Sequence, residues 1–215
     1  MLFRSCSCAP REGHLEAIYQ IFEYIRSHLR PAAVLGSSRL SINGGNFKAV
    51  GWAQTYGDAK EEAPAELPEE RGNPVEITLY VDAAHAGNLA SRRSHTGIII
   101  FLSSAPITWH SKRQGAAEAP ALGPGLAALG AGAEASRGLR CKLRMMGIPA
   151  AGPSNALCAN KPAADNASLP EAQLKKKRLL AACHCARGCC AKLAARAAPG
   201  ACRGEPGGPA CAQEP

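Results

Sequence analysis

The chain has 215 residues, 25 Lys and Arg against 17 Asp and Glu, and a formal net charge of +8. That length allows one medium domain with an extra segment, or two small domains, and the basic balance suits a polyanionic partner without identifying one. No stretch reaches the roughly 18 consecutive apolar residues of a membrane span and "MLFRSCSCAPREGH" holds no apolar run of secretory-signal length, so the ten cysteines read as reduced thiols of an intracellular protein, cytoplasmic or nuclear.

Residues 12–30, "EGHLEAIYQIFEYIRSHLR", predict a helix. Leu15, Ile18, Phe22, Ile25 and Leu29 recur at spacings of three and four and form one apolar stripe, which Pro31 ends. Residues 57–74, "GDAKEEAPAELPEERGNP", are rich in Glu, Pro and Gly and predict an exposed linker. "VEITLYVD", 75–82, alternates: Val75, Ile77, Leu79 and Val81 on one face; Glu76, Thr78, Tyr80 and Asp82 on the other. "GIIIFLS" predicts a second strand, apolar throughout and therefore central. "SSAP" is a turn, and "ITWHSKRQ" alternates again as a third strand. Short connections make the three an antiparallel meander.

Beyond Gln114 the patterning weakens. Residues 116–145 hold a Leu spacing suited to a helix (Leu122, Leu126, Leu129), but also Pro124 and Gly123, Gly125, Gly130 and Gly132. At about 3 kcal/mol for an interior Pro and about 1 for each Gly, these residues cost roughly 7 kcal/mol relative to Ala. The expectation is a helix interrupted near Pro124. Residues 174–198, "LKKKRLLAACHCARGCCAKLAARAA", are a second helical candidate. The Gly-, Pro- and Cys-rich 199–215 tail is expected to be disordered.

The ordered string "YVDAAHAGNLASRRSHTGIIIFLSSAPITWHSKRQ" resembles the ribonuclease H region of copia-type retrotransposon Pol polyproteins. That family carries a strand ending in Asp, a small-residue turn, Arg-Arg-Ser, a Thr-Gly apolar strand, an Ala-Pro-Ile turn, Trp, and Ser-Lys-x-Gln. The likeness runs from about Arg11 to Arg187 and is densest over 75–114. "GHLEAIYQIFEYIRSHL" is similar to the end of the family's reverse transcriptase part. The resemblance implies an α/β fold of ribonuclease H-like type, with strand, strand, strand, helix, strand, helix in that order and a degraded C-terminal half. Its implied divisions are 1–56 as a remnant of the reverse transcriptase end and connection, 57–74 as linker, 75–198 as the ribonuclease H-like domain, and the tail.

The resemblance also implies a chemistry. Ribonuclease H cuts the RNA strand of an RNA–DNA hybrid with two Mg²⁺ ions about 4 Å apart, held by carboxylates because Mg²⁺ is a hard ion. The first-strand ligand falls on Asp82, which is retained. The position two further on, often acidic in the family, is Ala84. The helix Glu falls on Gly125, while Glu118 matches a different family position. The fourth-strand Asp falls on Ala159, inside "LCAN", and the last ligand falls on Cys211. Asp82 alone would be a remnant metal ligand, with no Mg²⁺ bound.

Other readings of single residues stand beside these. Asp82 alone could cap a turn. His85 and His95 suit solvated turn positions better than metal ligands. Arg92 and Arg93 suit either a phosphate backbone or a solvated turn. Lys175, Lys176, Lys177 and Arg178 suit either nucleic acid or an exposed helix face. "CHCARGCC" has zinc-ligand residue types without the usual paired spacing. Two functions follow: a catalytically inactive remnant with weak affinity for RNA–DNA hybrid or other nucleic acid, or a co-opted non-catalytic nucleic-acid-binding or protein-interaction module. Folding of residues 115–215 would favour the second. An active nuclease would need acids that Glu118 and Glu134 do not supply at the matching positions.

Overall fold

The architecture is that of a computed structural model, described for residues 12–27, 38, 40, 42, 47, 50–61, 66–86, 91–115, 121–170, 177–192 and 195–199. The chain divides into two compact units, Met1–Leu35 and Gly36–Pro215.

In the first unit, helix α1 spans Glu12–Ser27. Its stripe is present, but Leu15, Phe22 and Ile25 are exposed. Leu29 and Pro31, the expected end of the helix, lie outside the described residues.

The second unit holds the short helix α2 (Ala53–Tyr56), strands β1 (Ile77–Ala84), β2 (His95–Leu102) and β3 (Ala105–Arg113), helix α3 (Leu122–Met145), strand β4 (Ser154–Cys158), helices α4 (Lys161–Ser168) and α5 (Lys177–Ala191), and strand β5 (Ala195–Pro199). The five strands form one mixed sheet in the order β3-β2-β1-β4-β5. β1–β2 and β2–β3 are antiparallel, while β1–β4 and β4–β5 are parallel. The predicted meander is therefore present as part of an α/β unit. Its first strand begins at Ile77; Val75 instead makes an isolated parallel bridge with Ala150. Leu102 pairs with Ala105, so the β2–β3 turn is the two-residue Ser103–Ser104, with Ser103 at φ +53°. Such a tight hairpin demands left-handed backbone.

Period-two patterning sets the core face. Ile77, Leu79 and Val81 of β1 and Ile98 and Ile100 of β2 pack with Leu126 and Leu129 of α3. The Ala-rich segments complete this core. Ala163, Ala164 and Ala167 of α4 are fully buried, and such small side chains let helix and sheet approach closely.

α3 corrects an expectation. It runs unbroken from Leu122 to Met145. Pro124 lies in the first turn, where an α-helix leaves its N–H groups unpaired, so the missing donor removes no helical bond. The glycines are contact points. A Cβ on Gly132 would stand 2.9 Å from Val81 Cγ2 and 3.0 Å from Leu79 Cδ1, and one on Gly130 would stand 3.1 Å from Ala182 O. The expected degraded C-terminal half is likewise corrected across the described residues from 121 to 199, which build helices and two strands.

Two further elements depart from the sequence reading. "ARAAP", expected as the end of a helix, is β5, paired in register with β4 from Ser154↔Ala195 to Cys158↔Pro199. Arg196 fastens it: its Nε donates to Asn155 Oδ1 at 2.6 Å, and its guanidinium lies 4.2 Å from the Phe47 ring centroid. Ladder bonds and these contacts override alanine's helical preference. The tail beyond Pro199 lies outside the described residues. α4 was not anticipated, although Asn160 caps it with Oδ1 accepting the Ala163 N–H at 3.0 Å.

The 57–74 segment has no helix or strand among its described residues, but it is not wholly exposed. Glu61 takes Arg140 Nε at 3.0 Å and Arg144 Nη2 at 2.8 Å, and the Arg140 side chain is only 5 % exposed. The compact-unit boundary falls at Leu35, before this segment.

Candidate functional site

Parallel pairing puts the C-terminal ends of β1 and β4 side by side. Val81 pairs with Cys158, and the Ala159 N–H donates to Val81 O at 3.1 Å. Asp82 and Ala159 therefore stand at the same end of the sheet. Asp82 is exposed, pairs with Gly97, and accepts the Ala83 N–H on Oδ1 at 2.7 Å.

The first turn of α3 closes on that end. Gln114 Nε2 donates to Thr96 Oγ1 at 2.9 Å and to Pro124 O at 3.0 Å, tying the ends of β2 and β3 to the helix start. Asn160 Nδ2 donates to Ala121 O at 3.1 Å. Gly125 is buried against this linkage, where a Cβ would meet Asn160 Cβ and Cγ at 3.0 Å and Ala163 Cβ at 3.1 Å. Three of the four positions singled out in the sequence, Asp82, Gly125 and Ala159, thus come to one end of the sheet. Cys211 and Glu118 lie outside the described residues. Ala84 is exposed at the end of β1, and Glu134 lies farther along α3 near Cys185.

The donor set at this end does not fit Mg²⁺. Neither Gly125 nor Ala159 has a side-chain oxygen, and the ion requires several. Among the described residues, no group of three or more His, Cys, Asp or Glu side chains is placed to hold a metal. Burial pushes the Cys158 thiol up to about 11, with the nearby Asp82 carboxylate contributing in the same direction. Cys158 is therefore a protonated core group at neutral pH and not a soft-metal ligand.

The same end is rich in cations. Arg92, at φ +52°, is exposed, and Arg93 is half-buried. Ser94 Oγ accepts the Ala86 N–H at 3.1 Å and fixes the approach to β2. His95 pairs with Arg113, and Thr96 with Lys112. Lys112 and Arg113 were missed as candidate contacts because "HSKRQ" reads as a strand; antiparallel pairing brings them beside the Arg92–Arg93 turn. His85 is an exposed turn residue at the end of β1. Lys175 and Lys176 lie outside the described residues, and Lys177 and Arg178 open α5 with side chains outside them.

"CHCARGCC" lies within α5, and no three of its Cys and His side chains are placed to hold a metal. Cys183 and Cys190 enter the core, and His184 Nδ1 lies 3.1 Å from Tyr56 Oη. No protein-family model matches the chain, and no curated protein matches it.

Proposed function

We propose that this chain is a ribonuclease H-like module of copia-type retrotransposon origin that no longer cleaves and that binds nucleic acid weakly through its basic sheet end. One observation carries the reading. The positions matched to three metal ligands lie together at one end of the sheet, yet only Asp82 bears a carboxylate. That positions chosen from a linear resemblance come together at one end of the sheet supports this reading. The chain order of three antiparallel strands, helix, strand, helix supports it as well.

Two divalent ions must be fixed while charge builds on the attacking and leaving oxygens, and a single carboxylate cannot fix both. Arg92, Arg93, Lys112 and Arg113 do not need a metal to meet phosphates. Their contact with a duplex would release counterions, so affinity would fall steeply with salt.

The continuous α3 and the β4–α4–α5–β5 region favour the co-opted binding module over a remnant that does not fold, because a binder must present its cations on a fixed surface. The test uses the full chain and a labelled RNA–DNA hybrid, with and without Mg²⁺ or Mn²⁺, beside Asp82→Asn. We expect no cleavage by either protein, and binding that weakens with salt and with joint substitution of Arg92 and Arg93 by Gln. Metal-dependent cleavage lost in Asp82→Asn would overturn the inactive reading. Binding insensitive to salt would overturn the basic interface.

A further inference from the structure

Strand register sorts the face of the meander opposite α3 into cross-strand rows. Tyr80 pairs with Ile99 and Ile99 with Trp109, and alternation turns all three away from the core residues Leu79, Ile98 and Ile100. One step toward the strand ends, Asp82, Gly97 and Ser111 form the next row, and His95 with Arg113 the one beyond. β3 is an edge strand of the sheet. Trp109 therefore stands at a sheet edge, 76 % exposed. The ring pairs among the described residues are Trp52–Tyr56 and Tyr80–Phe101, and neither involves Trp109.

The neighbours of this indole make it more than a single exposed apolar side chain. Gly97 has no side chain and Ser111 a short one, so a planar group lying on Trp109 meets nothing bulky on the way to the cationic row. Arg113 of that row is exposed and stands about 13 Å from Trp109 along β3, four residues at about 3.3 Å each. The Arg92–Arg93 turn leads through Ser94 into His95 of the same row. Tyr80 and Ile99 continue the apolar row inward, and Tyr80 meets Phe101 edge-on with centroids 5.7 Å apart. Asp82 is the acid in these rows. It lies on β1, two strands and about 10 Å from Ser111, so a polyanion following β3 keeps clear of it.

We propose that this face binds single-stranded nucleic acid, with one base stacked on Trp109 and the phosphates beyond it on Arg113 and the Arg92–Arg93 turn. The inference rests on reading the sheet end as a nucleic-acid interface, and it names the strand form that the interface takes. An exposed aromatic ring stacks on an unpaired base of any identity. In a duplex or hybrid the bases stack on one another and offer only their edges in the grooves, so Trp109 gains nothing there. The cations meet phosphates of either form. Single strands thus engage both parts of the surface, and hybrids only one. The net charge of +8 and the cationic row favour a polyanion over an apolar protein segment on the same ring.

The test titrates the full chain into end-labelled oligouridylate and oligothymidylate of about 12 nucleotides, a length within the site sizes of single-strand binders, and into an RNA–DNA hybrid of equal length, reading anisotropy. Both single strands should bind more tightly than the hybrid. Trp109→Ala should weaken single-strand binding by about tenfold, the worth of one stacked base, and leave hybrid binding unchanged. Trp109→Phe should keep most of the affinity, and Arg113→Gln should weaken both forms. Circular dichroism matching the parent chain qualifies each variant. Tryptophan emission is a second readout. The chain has two tryptophans, and Trp52 packs against the core and Tyr56, so the quench caused by a single strand should vanish in Trp109→Phe. Salt-sensitive hybrid binding, with single-strand affinity that Trp109→Ala leaves unchanged, would overturn this inference and leave the basic interface standing. No binding to any of the three nucleic acids would overturn both. A Trp109 emission shift that follows chain concentration without nucleic acid would put a second copy of the chain on this face and likewise overturn the inference.

Discussion

Gly132 and Gly138 lie on the same helix in opposite surroundings, and replacing each by Ala separates packing from propensity. An exposed helical Gly→Ala change should stabilise by about 1 kcal/mol. Gly138 meets that condition, since nothing stands within 4 Å of where its Cβ would be. Gly132 gains the same propensity term, but its new methyl would stand 2.9 Å from Val81 Cγ2 and 3.0 Å from Leu79 Cδ1. Val81 is 2 % exposed and β-branched, and Leu79 is 0 % exposed, so neither can swing away into solvent. Overpacking of this kind costs about 1–3 kcal/mol, which leaves a net loss of up to about 2 kcal/mol. The two variants should therefore differ by about 1–3 kcal/mol. Equilibrium urea unfolding of the full chain, followed by far-ultraviolet circular dichroism, would read this as midpoints about 0.5–1.5 M apart for a slope near 2 kcal/mol/M. Gly132→Ala at or above the midpoint of Gly138→Ala would refute the reading of Gly132 as a packing contact.

Three other outcomes follow from the structure. Glu61→Gln should cost about 3–5 kcal/mol by leaving the buried Arg140 guanidinium without its carboxylate; pairing it with Arg140→Met should recover much of that loss in a urea-unfolding double-mutant cycle. Stability should fall from about pH 9 to about pH 11, because folded Cys158 keeps its proton to about 11 while the unfolded thiol loses it near 9.0. That two-unit window is worth about 3 kcal/mol, and Cys158→Ala should flatten its share of the decline in a pH series of urea midpoints. Gly125→Glu should destabilise the fold by about 1–3 kcal/mol through overpacking against Asn160 and Ala163, read again by urea midpoint, and should restore no cleavage of a hybrid.

The parts of the fold legible in the sequence are those whose geometry follows from local alternation. Ile77, Leu79 and Val81 mark the core face of β1, whereas β2, read as apolar throughout, alternates in burial, with Thr96, Ile98 and Ile100 buried. The elements that were misread depend on distant partners. Nothing local in "ARAAP" favours a strand; it becomes one because Asn155 and Ala156 offer a parallel ladder some forty positions away. α3 looked broken because propensity counts a glycine's cost but not the closeness of the neighbour it admits. α4 had a readable start in Asn160 and Pro162, which a search for capping residues would have found. At the candidate site, the resemblance named Asp82, Gly125 and Ala159 singly, while the Lys112–Arg113 contribution needed the strand register.

On the proposed reading, losing the metal ligands changes more than the chemistry. Carboxylates crowd together in a two-metal site because divalent ions between them offset their repulsion. Where Gly and Ala replace them, the repulsion and the ions disappear together, and fixed cations dominate the remaining field. Asp82 then shares these strand ends with Lys112 and Arg113, of which Arg113 falls on its face of the sheet, and with the Arg92–Arg93 turn that leads into β2. A phosphate backbone approaching this end meets less negative charge than it would at a full carboxylate cluster, so loss of cleavage and retention of polyanion affinity are compatible. The path back is obstructed at Gly125, because Asn160 now fills the space that a side chain there would need while it caps α4 and bonds Ala121. Restoring a carboxylate at Ala159 would leave that obstruction in place. The same packing that makes the second unit a fixed scaffold for binding thus holds its former helix ligand position shut.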